Sequence, residues 1–117
     1  MVDDQAVFRD VARALVGMAA GFEVVAESGD GESAVKLARE VAPDVVIVDE
    51  RMTGIDGIET ARRIMSAENP PPVVVLVSSA DLQPLAEVAG RSGVAAVLRK
   101  HWLTPSLLRG LWIAHRH

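Results

Sequence analysis

The chain alternates between two hydrophobic patterns along its length. Short, mainly apolar runs occur at residues 22–26, 45–48, 73–77 and 94–98. The runs at 45–48 and 73–77 are typical of strands that are buried on both faces of a parallel sheet, and the other two are also interpreted as strands. Between the runs, apolar residues recur at three- and four-residue spacing, which predicts amphipathic helices. Strands that alternate with helices indicate βαβ units, so we predict an α/β fold with a doubly wound parallel sheet.

The predicted helices carry recognisable start signals. The first helical pattern runs from Gln5 to about Ala20. Asp30 and Asp56 are predicted to cap the second and third helices through their side chains. Pro84 lies in the first turn of a fourth helix, and Thr104-Pro105 matches the cap and first position of the last helix. We find no linker or repeat, so residues 1–117 are expected to form a single domain.

Composition narrows the class of protein. Half of the residues are hydrophobic, yet no apolar run approaches the length of a membrane span, and no leader precedes the first helix. We therefore expect a cytoplasmic chain with no membrane contact. The sequence contains no cysteine, which excludes disulfides and thiolate metal sites. The net charge is −4 and the basic residues are scattered, which disfavours direct nucleic-acid binding.

Polar residues suited to phosphoryl chemistry follow the predicted strands. Asp49 comes directly after the apolar run at residues 45–48, and Ser78 and Lys100 end the two later runs. The acidic pair Asp3-Asp4 precedes the first helix. Because ligands in open α/β sheets bind beyond the carboxyl ends of the strands, we expect these side chains to meet at one edge. Together they indicate a phosphate-accepting aspartate with a supporting site.

With these residues the chain resembles the receiver domain of two-component response regulators, from Val2 to the last helix. The segment Val2–Arg9 is most similar to receivers that are usually joined to a LuxR-type helix-turn-helix output. Ser78 lies 29 positions after Asp49, and Lys100 lies 22 positions after Ser78, close to the family's usual intervals. The resemblance implies a flavodoxin-like receiver fold. One of these motifs alone would be weak, but four in order form a specific signal.

The resemblance implies a role for each of these side chains. Asp49 would be the nucleophile that accepts a phosphoryl group from a sensor histidine kinase. Lys100 would contact a phosphoryl oxygen as a point charge, and Ser78 would be the hydroxyl that moves to bind the phosphate. The chain would then be a phosphoacceptor that catalyses only its own phosphorylation and dephosphorylation, rather than an enzyme acting on other molecules.

The same resemblance implies Mg²⁺ as cofactor. Asp4, supported by Asp3, would hold the ion together with Asp49 and the main-chain carbonyl of Arg51. Mg²⁺ prefers oxygen ligands and can bridge to a phosphate, and its charge relieves the repulsion between neighbouring carboxylates.

Several positions depart from the family pattern. Val97 stands where receivers usually carry a switch tyrosine or phenylalanine, and Glu50 stands where an apolar residue is common. Thr53 replaces the usual proline of the loop that Gly54 and Gly57 complete. His101 follows the lysine where proline, aspartate or serine is more usual.

The largest departure lies at the amino end. Where the family has several apolar residues before the acidic pair, this chain has only Met1 and Val2. We therefore predict a nearly absent first strand and an isolated monomer that is markedly less stable than an ordinary receiver. We also expect that the natural coding region begins further upstream.

Two alternative functions were weighed against a phosphorylatable switch. A pseudo-receiver would bind a partner without phosphorylation-dependent switching, and Val97 and the short first strand favour it. An aspartate-nucleophile phosphohydrolase needs a second acid two positions after the nucleophile, where this chain has Arg51. The phosphohydrolase is therefore disfavoured.

The last helix region leaves a further alternative open. Trp102, Leu108 and Trp112 could form an apolar patch through which two copies pair, or they could pack into the domain. His115 and His117 are interpreted as part of a solvated tail rather than a metal site.

Overall fold

A computed structural model of the chain describes residues 1–52, 54–79 and 93–116. In these ranges three parallel strands form one sheet in the order β1-β2-β3. The strands are β1 (Val45–Asp49), β2 (Val73–Ser78) and β3 (Ala96–Arg99). The helices are α1 (Ala6–Met18), α2 (Gly31–Val41), α3 (Gly57–Ala67) and α4 (Pro105–His115), and a short 3₁₀ helix spans Lys100–Trp102. The predicted α/β fold with a parallel sheet is confirmed.

The register of the sheet brings the candidate residues to one edge. Asp49 pairs with Val77 across β1 and β2, and Ser78 pairs with Arg99 across β2 and β3. Every residue of β2 is buried, as its continuous apolar sequence predicts for a strand covered on both faces. The carboxyl ends of all three strands therefore lie side by side.

Two apolar layers hold the helices against the sheet. On one face, Val48 and Leu76 belong to a cluster with buried residues of α2 and α3. On the other face, Val75 and Val77 belong to a cluster that includes Val16 of α1 and Leu108 of α4. Each such side chain contributes about 1.5–3 kcal/mol when it is fully buried. The alternation of strand side chains between the two layers explains why the strand sequences are apolar throughout.

Three predicted helix caps are confirmed. The side chains of Asp30, Asp56 and Thr104 accept hydrogen bonds from the backbone N–H three residues on, at 2.8, 2.8 and 3.1 Å. A cap of this kind typically stabilises a helix by about 1 kcal/mol. None of the helices in the described ranges combines the length and the apolar character that crossing a membrane requires. The helix predicted around Pro84 lies outside the described residues.

The side chains of the last helix region separate into different environments. Leu108 is fully buried, so the interpretation that it packs into the domain is correct for this residue. Trp112 is partly buried, whereas Trp102 is 49% exposed and has the Arg99 guanidinium 5.9 Å from its ring centre. His115 is exposed, and His117 lies outside the described residues.

The first strand is reduced to a stub, as predicted. The Val2 N–H donates to the Ile47 carbonyl at 2.8 Å, and the Val2 carbonyl accepts from the Asp49 N–H at 2.8 Å. On the opposite side, the Asp3 N–H donates to the Ser28 carbonyl at 2.9 Å. The stub therefore lies between β1 and the segment that ends at Ser28, in line with the sheet.

Two strand predictions need correction. The strand expected at residues 94–98 begins two residues later, at Ala96. The strand expected at residues 22–26 is wrong, since this segment takes no part in the sheet. A strand needs a neighbouring strand with which to exchange hydrogen bonds. The stub forms its bridge with Ser28, which follows the end of this segment. The segment is also only partly buried, since Phe22 and Val24 are half-buried and Val25 is 53% exposed.

Candidate functional site

Three carboxylates meet at the carboxyl edge of the sheet. Asp49 is the last residue of β1, and Asp3 and Asp4 follow directly after Val2 of the stub. One oxygen from each carboxylate lies within 4.8 Å of the others. We call these three residues the acidic cluster. Asp3 and Asp49 are only 1% and 5% exposed, while Asp4 is exposed, so two negative charges are buried beside each other.

Lys100 is the cation of this site. It begins the 3₁₀ helix after β3, and its Nζ lies 2.8 Å from Asp3 Oδ2 and 3.4 Å from Asp49 Oδ2. Gln5 Oε1 accepts a hydrogen bond from the same nitrogen at 3.1 Å, and the ring centre of Phe8 lies 4.6 Å from it. The lysine is thus held between the two buried carboxylates and the start of α1.

Gln5 and Phe8 were missed as site residues. Both follow the acidic pair within one turn of helix, but neither residue type signals a contact with a lysine near the other end of the chain. Only the folded chain brings them together.

Burial makes the charge on Asp49 costly. Loss of hydration raises the pKa of the Asp49 carboxyl from 3.8 to about 6, and repulsion from Asp3 adds to this rise. The charge of Lys100 and the hydrogen bond from the Arg51 N–H lower the pKa of Asp49, but by less than burial and Asp3 raise it. In addition, Asp3 Oδ2 is buried and accepts no hydrogen bond, although Lys100 is close enough for an ion pair. The acidic cluster therefore carries more negative charge than the described side chains neutralise.

Ser78 lies at the end of β2, beside this cluster. Its hydroxyl is buried and donates to Glu50 Oε1 at 3.5 Å. The same oxygen of Glu50 lies 3.4 Å from Arg51 Nε. Glu50 therefore connects the serine to an exposed arginine.

The loop after β1 returns tightly onto the strand. The Gly57 N–H donates to the Glu50 carbonyl at 3.0 Å, and a side chain at Gly57 would meet the Asp49 carbonyl oxygen. Gly54 has a φ of +85°, a conformation that glycine adopts without strain. Thr53 lies outside the described residues. The start of α3 is thus packed against the backbone that carries Asp49.

Residues 1–111 match the response regulator receiver domain family. The chain belongs to this family. It is 36% identical over 100 residues to protein-glutamate methylesterase/protein-glutamine glutaminase 5 of Myxococcus xanthus (strain DK1622), a match that covers 86% of the chain and 29% of that protein. It is 31% identical over 116 residues to the uncharacterized transcriptional regulatory protein YxjL of Bacillus subtilis (strain 168), covering 99% of the chain and 53% of that protein.

A solved receiver structure supports the same conclusion. The LuxR-family two-component response regulator from Aurantimonas sp. SI85-9A1 superposes with a TM-score of 0.86 at 28% identity, covering 98% of this chain and 84% of that one. The predicted flavodoxin-like receiver fold and the resemblance to LuxR-family receivers are confirmed. The chain spans 29% of the first of these curated relatives and 53% of the second.

The receiver framework also locates Val97. This residue pairs with Leu76 across β2 and β3 and is half-buried against the cluster between the sheet, α2 and α3. A valine there has no ring and no hydroxyl with which to reach a second position. This position of β3 therefore carries no aromatic side chain.

Proposed function

We propose that the chain is a single receiver domain that accepts a phosphoryl group on Asp49 from a sensor histidine kinase. The observation that carries this proposal is the meeting of Asp49 and Lys100, at 3.4 Å, inside the acidic cluster. Phosphoryl transfer depends mainly on positioning and on neutralising charge, and this strand end supplies both a nucleophile and a fixed cation.

Asp49 acts as the nucleophile in this proposal. One of its carboxylate oxygens forms a bond to phosphorus while the bond between phosphorus and the donor's histidine nitrogen breaks. With a pKa of about 6, the carboxyl is mostly ionised at pH 7 and can attack. Lys100 stays close by and offsets charge on the transferred group.

The acidic cluster fits a Mg²⁺ ion. The donors are carboxylate oxygens, one of them a buried oxygen of Asp3 that accepts no hydrogen bond. In the proposal Asp3, Asp4, Asp49 and the main-chain carbonyl of Arg51 hold the ion. Bound there, Mg²⁺ supplies positive charge to the phosphoryl oxygens and relieves the repulsion between Asp3 and Asp49.

Ser78 is the proposed switch hydroxyl. It donates to Glu50 in the unphosphorylated chain, and a phosphoryl group on Asp49 offers it a stronger, charged acceptor. The move would leave Glu50 with Arg51 as its partner. We propose that this change alters binding to a second copy of the chain or to another protein.

Phosphorylation of Asp49 is expected to depend on Mg²⁺. Incubation with acetyl phosphate and Mg²⁺ should add one phosphoryl group, and Asp49→Asn or chelation by EDTA should abolish the addition. Intact-mass spectrometry measures this directly. Asp44→Asn is the matched control, because Asp44 is exposed directly before the same strand and should leave labelling unchanged. An unmodified parent protein, under conditions that label another receiver, would favour the pseudo-receiver instead.

Phosphorylation is also expected to alter the α4 face less than in receivers with an aromatic switch. Val97 has no ring to move between an exposed and a buried position, so the two states differ less in their contacts. Amide hydrogen exchange over residues 94–112, with and without acetyl phosphate, measures the effect. A valine-to-tyrosine variant at Val97 provides the comparison, and a large protection change in the parent protein would contradict the expectation.

A further inference from the structure

Two uncharged side chains at the start of α1 contact the Lys100 ammonium. Gln5 Oε1 accepts its hydrogen bond at 3.1 Å, and Nζ lies over the ring of Phe8, 4.6 Å from the ring centre. Residues three positions apart along a helical turn face the same side, so the amide and the ring approach the nitrogen together. The Lys100 side chain is only 12% exposed in this surround. We call Gln5 and Phe8 the α1 pair.

Each member of the α1 pair is fixed by contacts of its own. The Gln5 N–H donates to Asp3 Oδ1 at 2.8 Å, and the Gln5 carbonyl accepts from the Arg9 N–H at 3.2 Å. The Gln5 side chain directly precedes α1 but makes no cap hydrogen bond, so its amide oxygen serves Lys100 instead. Phe8 is half-buried and packs against the apolar layer that α1 and α4 share with the sheet. The α1 pair is therefore a fixed support for the lysine.

The Lys100 ammonium depends on contacts with its neighbours for a fixed position. It lies at the end of a long and flexible stem, and ordering such a side chain costs rotamer entropy. The backbone hydrogen bond that closes the 3₁₀ turn, from the Leu103 N–H to the Lys100 carbonyl, is long at 3.4 Å. The contacts with Asp3, Asp49 and the α1 pair must therefore offset the entropy that the ordered side chain loses.

The two carboxylates that hold Lys100 change partners in the proposed reaction. One oxygen of Asp49 becomes bonded to phosphorus, and Asp3 belongs to the proposed Mg²⁺ site. Each change weakens the attraction between the carboxylate and Lys100, because the negative charge is then shared with another group. The amide oxygen of Gln5 and the ring of Phe8 take part in neither change. Their contacts with Lys100 therefore persist through the transfer.

We propose that Gln5 and Phe8 are positioning residues that hold the Lys100 ammonium beside Asp49 during phosphoryl transfer. The inference rests on the proposed function and names the part of the chain that fixes its cation. Gln5 supplies a hydrogen bond to a charged group, and Phe8 supplies the negative face of an aromatic ring. Both side chains are uncharged, so they hold the lysine without cancelling the charge that it offers to the phosphoryl group.

The first measurement is the rate at which acetyl phosphate and Mg²⁺ label Asp49. Gln5→Met keeps the length of the side chain and removes the acceptor, and Phe8→Leu keeps an apolar side chain and removes the ring. Each is expected to slow labelling about 3- to 10-fold, the rate equivalent of one modest contact with a cation. The melting temperature of Gln5→Met should stay close to that of the parent. Val7→Met is the matched control, because Val7 is 76% exposed in the same turn and should label at the parental rate.

The second measurement follows Lys100 directly and needs no phosphoryl donor. The chain has two lysines, so selective ¹³C labelling of lysine gives two ε-methylene signals, whose NMR relaxation reports how freely each side chain moves. Lys36 is exposed on α2 and provides the mobile reference. In the parent, Lys100 should be rigid both in EDTA and in Mg²⁺. With Gln5→Met and Phe8→Leu combined, it should stay rigid in EDTA, where the carboxylates hold it, and become as mobile as Lys36 in Mg²⁺.

The outcomes separate this inference from the proposed function. Parental labelling rates in both variants, or a Lys100 side chain that stays rigid in Mg²⁺ without the α1 pair, would overturn the inference. So would equal slowing by Val7→Met, which would indicate a general disturbance of α1. A parent protein that takes up no phosphoryl group, while Lys100 becomes mobile in the variant, would confirm the positioning of Lys100 and overturn the proposed function instead. Gln5→Met carries both measurements by itself should Phe8→Leu fail to fold, because the Gln5 side chain is exposed.

Discussion

Replacing Gly57 by alanine is expected to destabilise the protein by about 1–3 kcal/mol, the usual cost of overpacking, and to suppress phosphorylation of Asp49. The added Cβ would overlap the Asp49 carbonyl oxygen and lie 2.6 Å from the Glu50 Cα. Both are backbone atoms, which cannot rotate away as a side chain could, so α3 or the end of β1 must move. Movement of β1 displaces the carboxylate from Lys100. Urea denaturation and the acetyl phosphate assay measure the two effects.

Gly110→Ala is the matched control for this prediction. Gly110 lies in α4, and a Cβ there would meet nothing within 4 Å, so the substitution should stabilise the helix by roughly 0.5–1 kcal/mol. A Gly57→Ala protein with parental stability and full labelling would show that the loop after β1 can relax away from the strand. The tight packing described above would then not constrain the site.

Asp49→Asn is expected to stabilise the Mg²⁺-free protein by up to about 3 kcal/mol at pH 7. The folded chain holds the Asp49 carboxyl at a pKa of about 6 rather than 3.8, mainly because of burial and secondly because of Asp3. A difference of this size corresponds to about 3 kcal/mol of destabilisation once the group is ionised in both states. The amide has a similar shape and no charge, so it removes this cost. Chemical denaturation in EDTA compares the two proteins.

The sign of the pH dependence follows from the same shift. Between about pH 4 and pH 6 the folded state binds more protons at Asp49 than the unfolded state does, so stability falls as the pH rises through this window. Below about pH 4 both states are protonated and the cost disappears. The gain from Asp49→Asn should therefore shrink from its full value above pH 6 towards zero near pH 4.

Asp44→Asn serves as the control here too, because this aspartate is exposed and outside the acidic cluster. It should leave both the stability and its pH dependence close to those of the parent. Mg²⁺ should raise the melting temperature of the parent more than that of Asp49→Asn, since the ion neutralises the charge that the variant lacks. A gain that is independent of pH would mean that Asp49 is not held at a raised pKa.

Much of the fold could be predicted from short-range sequence patterns. Asp30, Asp56 and Thr104 cap helices because a short side chain with an oxygen can satisfy the first free N–H groups wherever the backbone turns helical. The run at residues 73–77 predicted a buried strand, and it lies at the centre of the described sheet. Since parallel strands end at a common edge, the sequence also placed Asp49 and Lys100 close together.

The sequence could not predict the strand pairing, side-chain contacts and pKa values that depend on residues far apart in the chain. The apolar segment at residues 22–26 has the composition of a strand, but pairing requires a partner, and the stub stops beside Ser28. Gln5 accepts a hydrogen bond from Lys100, but neither its residue type nor its position in the sequence predicts this contact. The pKa of Asp49 depends on how much water the fold removes and on where it places Asp3. Short-range preferences can be read residue by residue, whereas burial and electrostatic coupling arise only when segments far apart in sequence are brought into contact.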